Sequence, residues 1–256
     1  MNTEVDASNA PVNTGVNAAI AKVQAIYKNW NRHTTMEQMR SEWDAAFYAD
    51  IIPCDVEDID ANGVACRWLR ASSVSIEGPA QRRVIMYLHG GGFKMGSPVS
   101  HHDYMAHLSQ ACDATVFAVD YRLVPEHRFP AALEDCIASY KWLLDSGVAA
   151  ENISIAGDSA GGCLVAAMLL SLRDSNVPLP ASGVMLSALT DLTVSGESYD
   201  TRSDADPIHQ RVLIQALAKS YLQKEQDLTD PLVSPLFADL AGLPPLLLQV
   251  GDRETG

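Results

Sequence analysis

The segment that most constrains this chain is Gly157-Asp158-Ser159-Ala160-Gly161, set between two apolar stretches of different character. Upstream, Asn152-Ile153-Ser154-Ile155-Ala156 reads as a short buried strand. Downstream, Gly162-Cys163-Leu164-Val165-Ala166-Ala167-Met168-Leu169-Leu170 is apolar at every position, which reads as a helix buried on all sides. Gly and Ser also populate ordinary turns, so the pentapeptide alone says little. Between strand and helix it predicts a strained turn of small residues that lifts the Ser159 hydroxyl above a sheet edge as a nucleophile. Such a turn belongs to a layered α/β fold.

A second glycine-rich segment, His89-Gly90-Gly91-Gly92-Phe93, follows the apolar run Val84-Ile85-Met86-Tyr87-Leu88. Acyl transfer builds negative charge on a carbonyl oxygen, and backbone N–H groups stabilise it best where no side chain blocks approach. Gly91 and Gly92 are the expected donors, with the amide of Ala160 just after the nucleophile as a third. His89 and Gly90 are expected to brace the loop. A phosphate-binding loop would end in Lys-Ser/Thr on a helix, and Phe93-Lys94-Met95-Gly96 does not.

From residue 63 the pattern alternates strand, loop and helix. Strands are expected at 63–69, 84–88, 115–119, 153–156, 183–186 and 246–250, and a helix at 131–144 with Leu133, Ile137, Tyr140 and Leu144 on one face. Alternation of this kind predicts a mostly parallel sheet with helices on both faces, whose ligands bind beyond the carboxyl ends of the strands. The alternation breaks between Gly196 and Asp227, where Asp206-Pro207 is expected to cap a helix with an apolar face of Ile208, Val212, Leu213, Leu217 and Tyr221. Before the alternation starts, residues 1 to about 15 read as an irregular tail. Val16, Ile20, Val23, Tyr27 and Trp30 then recur at helical spacing, and Thr35-Met36-Glu37-Gln38 reads as a capping box opening a second helix. The expected organisation is a tail with cap helices over 1–50 and a catalytic domain over 51–256, with a cap insertion at about 196–227.

Composition bounds the partners. A net charge of −14 argues against nucleic acid, and no apolar run has the length of a membrane span. The start Met1-Asn2-Thr3-Glu4 lacks the basic and apolar regions of a signal peptide. Five cysteines without CxxC spacing fit free thiols in a cytoplasmic protein and give no metal site.

The two motifs together resemble the hormone-sensitive-lipase-like branch of the α/β-hydrolases, the bacterial esterases with HGGG and GDSAG signatures. The likeness extends to the connector from Asp120-Tyr121-Arg122 through Pro130-Ala131-Ala132-Leu133-Glu134-Asp135, to Asp230-Pro231-Leu232-Val233-Ser234-Pro235-Leu236, and to Leu243-Pro244-Pro245 through Gly251. It covers about residues 63–254. The resemblance implies an α/β-hydrolase fold with a helical cap, and a carboxylic ester hydrolase acting on small acyl or lactone esters. It implies no cofactor and no partner beyond the small ester, with a homodimer left open.

In this fold the triad follows the order Ser, acid, His. The loop after the 246–250 strand reads Gly251-Asp252-Arg253-Glu254, and either carboxylate could orient an imidazole. The register of the relatives falls on Glu254, with Asp252 as the alternative. None of the seven histidines matches the family's base, which follows the acid after a further helix and strand. The expectation is therefore that the base lies beyond residue 256, that the final part of the fold is missing, and that residues 1–256 alone turn over esters poorly. The alternative is a non-catalytic small-molecule receptor on the same scaffold.

Overall fold

The computed structural model describes residues 14–75, 83–223 and 227–255. The irregular tail expected at the N-terminus lies, up to residue 13, outside these. Helix α1 (Thr14–Asn29) and helix α2 (Met36–Phe47) follow, and Thr35 forms the expected reciprocal capping box with Gln38. The two helices meet through Tyr27, Trp30, Trp43 and Phe47, with Trp43 and Phe47 ring centroids 4.6 Å apart. Helix α2 has no buried residue, so it packs locally rather than joining the central core.

Seven strands form one sheet among the described residues, in the order β1-β2-β4-β3-β5-β6-β7. They are β1 (Cys54–Ala61), β2 (Val64–Ala71), β3 (Val84–Leu88), β4 (Thr115–Val119), β5 (Ile153–Asp158), β6 (Ser182–Leu186) and β7 (Leu246–Gln249). All pairs from β4 to β7 are parallel, while β1 and β2 form an antiparallel hairpin at one edge. The hairpin strand β1 lacks an apolar run and was not expected from periodicity. Its turn is the pair Asn62-Gly63, both at positive φ, which matches the right-handed twist of a two-residue hairpin. That dipeptide was the signal available in the sequence. Two acidic residues of β1 face arginines of β2: Asp58 pairs with Arg67 at 2.6 Å, and Asp55 with Arg70.

Alternation along the central strands sends side chains to two separate cores. On one face Met86, Leu88, Phe117, Val119, Ile153 and Ile155 pack under α4 (Ala131–Asp145) and α5 (Ala160–Asp174). On the other face Ile85, Tyr87, Val116 and Ala118 pack against Met105 and Ala106 of α3 (His102–Cys112). Helix α5 is buried at every position from Ala160 to Leu170, as its uniformly apolar sequence requires. Large aliphatic side chains buried this way each contribute roughly 1.5–3 kcal/mol. Covered faces on both sides make this a doubly faced parallel α/β sheet.

Between β6 and β7 lie α6 (Ser198–Thr201) and α7 (Arg211–Tyr221). The expected helix start at Asp206-Pro207 is corrected by the structure. The Asp206 carboxylate accepts from the amides of Ile208 and His209, closing a turn, and the helix begins at Arg211. Its buried face is Ile214, Ala218 and Tyr221, with Leu217 half-buried, whereas Val212 and Leu213 are exposed. The exposed strand β7 carries Leu247 and Leu248, each 58% accessible.

Candidate active site

Sheet order alone gathers the site. β3 and β5 are hydrogen-bonded neighbours with Leu88 opposite Gly157, so the His89–Phe93 loop and the Ser159 turn leave the same sheet edge side by side. Next along, Asp158 faces Leu186 and Leu186 faces Gln249, which brings Ser187 and the 251–254 loop to the same edge.

Ser159 sits at φ 51° and ψ −117°, a strained conformation for a residue with a side chain. The strain is held from three sides. Its amide donates to Leu186 O at 2.9 Å, and its carbonyl accepts from Cys163 and Leu189, each at 3.1 Å. Gly161 must be glycine, because a Cβ there would fall on the Leu88 carbonyl oxygen of the neighbouring strand. Ser159 Oγ makes no hydrogen bond among the described residues, and the residue is half-buried.

The glycine loop is fixed by residues from several elements. Gly90 N donates to Asp158 Oδ1 at 2.8 Å, so this amide is already engaged. The amides of Gly91, Gly92 and Ala160 take no partner among the described residues. Gly91 has φ +119°, and a Cβ there would fall on the Met95 carbonyl oxygen. His89 is buried, stacked on Tyr121 with centroids 4.2 Å apart, and its Nδ1 donates to Gly90 O at 2.8 Å. Burial, and then the nearby His101, push its pKa down to about 3, so it is a neutral brace. Tyr121, from the connector after β4, donates its hydroxyl to His89 O at 2.6 Å. On the outer side, Arg40 of α2 donates to the carbonyls of Lys94 and Val124, and Tyr221 of α7 stacks on Phe93 at 3.8 Å. Helix α7 thus bears directly on this loop, and α2 on the residues flanking it. Gln24 of α1 also donates to Pro207 O.

Asp158, the variable position inside the pentapeptide, was not singled out by sequence, and neither were its partners. It accepts from Tyr87 OH at 2.8 Å and lies 3.4 Å from His101 Nε2. Burial alone would raise this carboxyl, but the hydrogen bond and charge of His101, with the Tyr87 hydroxyl, hold it below its ordinary value. Burial likewise opposes protonation of His101, yet Asp158 raises its pKa overall.

Of the two candidate acids, Glu254 reaches the site. A small cavity of about 30 Å³ is lined by Ser159, Ser187, Leu189, His209, Ile214 and Glu254. Glu254 Oε1 accepts from Ser187 Oγ at 2.7 Å and from Gly251 N at 2.8 Å. Asp252 is exposed and lines neither this cavity nor the larger cleft of about 500 Å³ beside it, which Tyr87, His101, Asp158, Ser187 and Glu254 share. His209, one of the seven histidines that do not match the family's base, lines the Ser159 cavity, with its Nδ1 3.7 Å from Asp206 Oδ2. The thiol of Cys163 is buried and pushed up to about 12, which leaves it unreactive.

Glycine at position 91 gives a direct check of the loop. Gly91→Val forces a side chain onto Met95 O at a φ that β-branched residues avoid. Loss of one oxyanion donor costs about 3–4 kcal/mol of transition-state stabilisation, so kcat is expected to fall by roughly 10²–10³ or more. The measurement is steady-state ester hydrolysis with circular dichroism to confirm folding. A folded variant within a few-fold of the parent would remove Gly91 from this role.

Comparison with known proteins agrees with this geometry. A family profile described as the alpha/beta hydrolase fold matches residues 85–255. An acetyl-hydrolase of Streptomyces hygroscopicus is 38% identical over 238 residues, covering 90% of this chain and 76% of its own length. An esterase of Acinetobacter venetianus is 38% identical over 67% of this chain, a match that spans 57% of that protein. Among solved structures, an esterase from the bacterial hormone-sensitive lipase family superimposes with a TM-score of 0.86 at 37% identity, covering 94% of this chain and 79% of that one. The fold and the site define an α/β-hydrolase. The chain belongs to that family, in the branch of the bacterial hormone-sensitive-lipase esterases. No helix among the described residues is long and apolar enough to cross a membrane.

Proposed function

We propose that this protein is a carboxylic ester hydrolase acting on small acyl esters through an acyl-enzyme on Ser159. The observation that carries the reading is one sheet edge where a strained Ser159 hydroxyl meets the amides of Gly91, Gly92 and Ala160, none of them with a partner among the described residues. Ser159 Oγ attacks the ester carbonyl, and those amides hold the oxyanion. An imidazole takes the hydroxyl proton, returns it to the leaving alcohol and then activates water, while Glu254 orients it and stabilises its charged form. His209 lines the Ser159 cavity with its Nδ1 3.7 Å from Asp206 Oδ2, and Glu254 accepts instead from Ser187 Oγ and Gly251 N. Helices α1, α2, α6 and α7 act as the cap over the acyl site.

Short chains suit the site. The space beside Ser159 is small, and Leu189 and Ile214 give it an apolar wall. A relative named acetyl-hydrolase, and a 39%-identical structure soaked with p-nitrophenyl butyrate, point the same way. The test is hydrolysis of p-nitrophenyl acetate, butyrate and octanoate by the full chain. Acetate and butyrate are expected to exceed octanoate in kcat/KM by at least tenfold, about 1.4 kcal/mol. Equal rates across the series would reject the short-acyl assignment, and no hydrolysis of any of them by a protein that supplies the imidazole would reject the esterase.

A further inference from the structure

Asp206 carries a carboxylate into the interior with 5% exposure, and no Lys or Arg pairs with it among the described residues. A buried charge of this kind persists only when its lone pairs are all met. Burial would raise its pKa, but the amides of His209, Ile208 and Thr255 hold it below the ordinary carboxylate value. The two oxygens have different work. Oδ1 accepts from Ile208 N at 2.9 Å and His209 N at 2.8 Å, closing its own turn. Oδ2 reaches 49 residues along the chain to Thr255, accepting from its amide at 3.1 Å and lying 3.2 Å from its hydroxyl.

Thr255 directly follows Glu254 and is only 1% exposed. Its hydroxyl is also 2.9 Å from His209 O, and its carbonyl accepts from Ser198 Oγ of α6 at 2.7 Å. Every polar atom of Thr255 is therefore tied to the 198–209 segment. The neighbouring Glu254 side chain is tied instead to the sheet edge, through Ser187 and Gly251. An aspartate that only closed a turn would need Oδ1 alone.

Resting on the ester-hydrolase reading above, we propose that Asp206 is a positioning residue: through Thr255 it locks the Glu254 loop to the 198–209 segment, so the acid is aligned only when that segment is seated over Ser159. The same carboxylate faces the His209 ring that walls the Ser159 cavity, so one group sets both the wall and the acid.

The test compares Asp206→Asn, Thr255→Val and Thr255→Ser in the full chain. In Asp206→Asn the amide hydrogens must face donors on one side of the residue. With kcat counted per organophosphonate-titrated Ser159, it is expected to fall about 10²-fold, the scale of a small misplacement at a reacting centre, with KM changed only a few-fold. The acid limb of the pH–rate profile should move as it does when Glu254 itself is neutralised. Thr255→Ser should restore what Thr255→Val loses. Hydrogen exchange at the Thr255 amide should quicken in Asp206→Asn. A lowered Tm with unchanged kcat and pH profile would make Asp206 merely structural and overturn the proposal, as would an unchanged Thr255 exchange rate. If a parent that supplies the imidazole hydrolyses no ester and Ser159 takes no label, the esterase reading fails and the exchange result alone decides whether the link exists.

Discussion

Ser159→Ala is expected to abolish ester hydrolysis and organophosphonate labelling together. Removing the serine of a Ser-His pair costs on the order of a millionfold in kcat, and leaves a residual of roughly a thousandfold over water from binding and the oxyanion donors. The substitution isolates the hydroxyl. Alanine keeps the Cβ at the same positive φ, and the amide still donates to Leu186 O while the carbonyl still accepts from Cys163 and Leu189. The turn should therefore hold its shape and the protein its stability. Among the described residues Ser159 Oγ makes no hydrogen bond whose loss would disturb its surroundings. Mass spectrometry of the labelled protein should place the adduct on the peptide containing Ser159. A label elsewhere, with activity intact in the alanine variant, would remove Ser159 as nucleophile.

Both glycine-rich loops were legible in the sequence because each is local. A strand, a turn of small residues and a helix lie within some twenty positions, and the Leu88 carbonyl that dictates Gly161 belongs to the strand next door. The parallel core was legible for the same reason: each central strand is a short apolar run. Strand β1 was not, because its buried contribution is slight and its Asp and Glu side chains lie at the surface, with Asp58 and Asp55 answered by Arg67 and Arg70 across the hairpin. Helix α7 was placed three to five residues too early, because Asp206 has the chemistry of a cap but spends it on a turn and on Thr255. What stayed hidden was every contact between distant positions: Asp158 with His101 and Tyr87, Tyr121 with His89, Arg40 with the carbonyls beyond the glycine loop. These residues carry no spacing that marks them, since their partners are set by the order of strands in the sheet.

Glu254→Gln and Asp252→Asn divide the two candidate acids. Loss of the triad acid lowers kcat by about 10⁴ in the serine hydrolases where it has been removed, because the imidazole loses its orientation and the stabilisation of its charged form. Glu254→Gln is expected to show a loss of that size, whereas Asp252→Asn should stay within a few-fold of the parent. The asymmetry follows from the loop. Glu254 Oε1 accepts from Ser187 Oγ and Gly251 N and borders the Ser159 cavity, whereas Asp252 points no group into it. An amide at 254 retains one carbonyl oxygen for those two donors, so folding should survive and the effect should be confined to turnover. With the negative charge gone, the imidazolium is less stable and the apparent pKa of the base falls, so the acid limb of the kcat/KM profile should move to lower pH. A loss confined to Asp252→Asn would move the acid to that residue and require the loop to rearrange on binding substrate. Equal, modest losses in both would mean that neither carboxylate orients the base, and would leave Asp158, already in the neighbouring cleft beside His101, as the next carboxylate to neutralise.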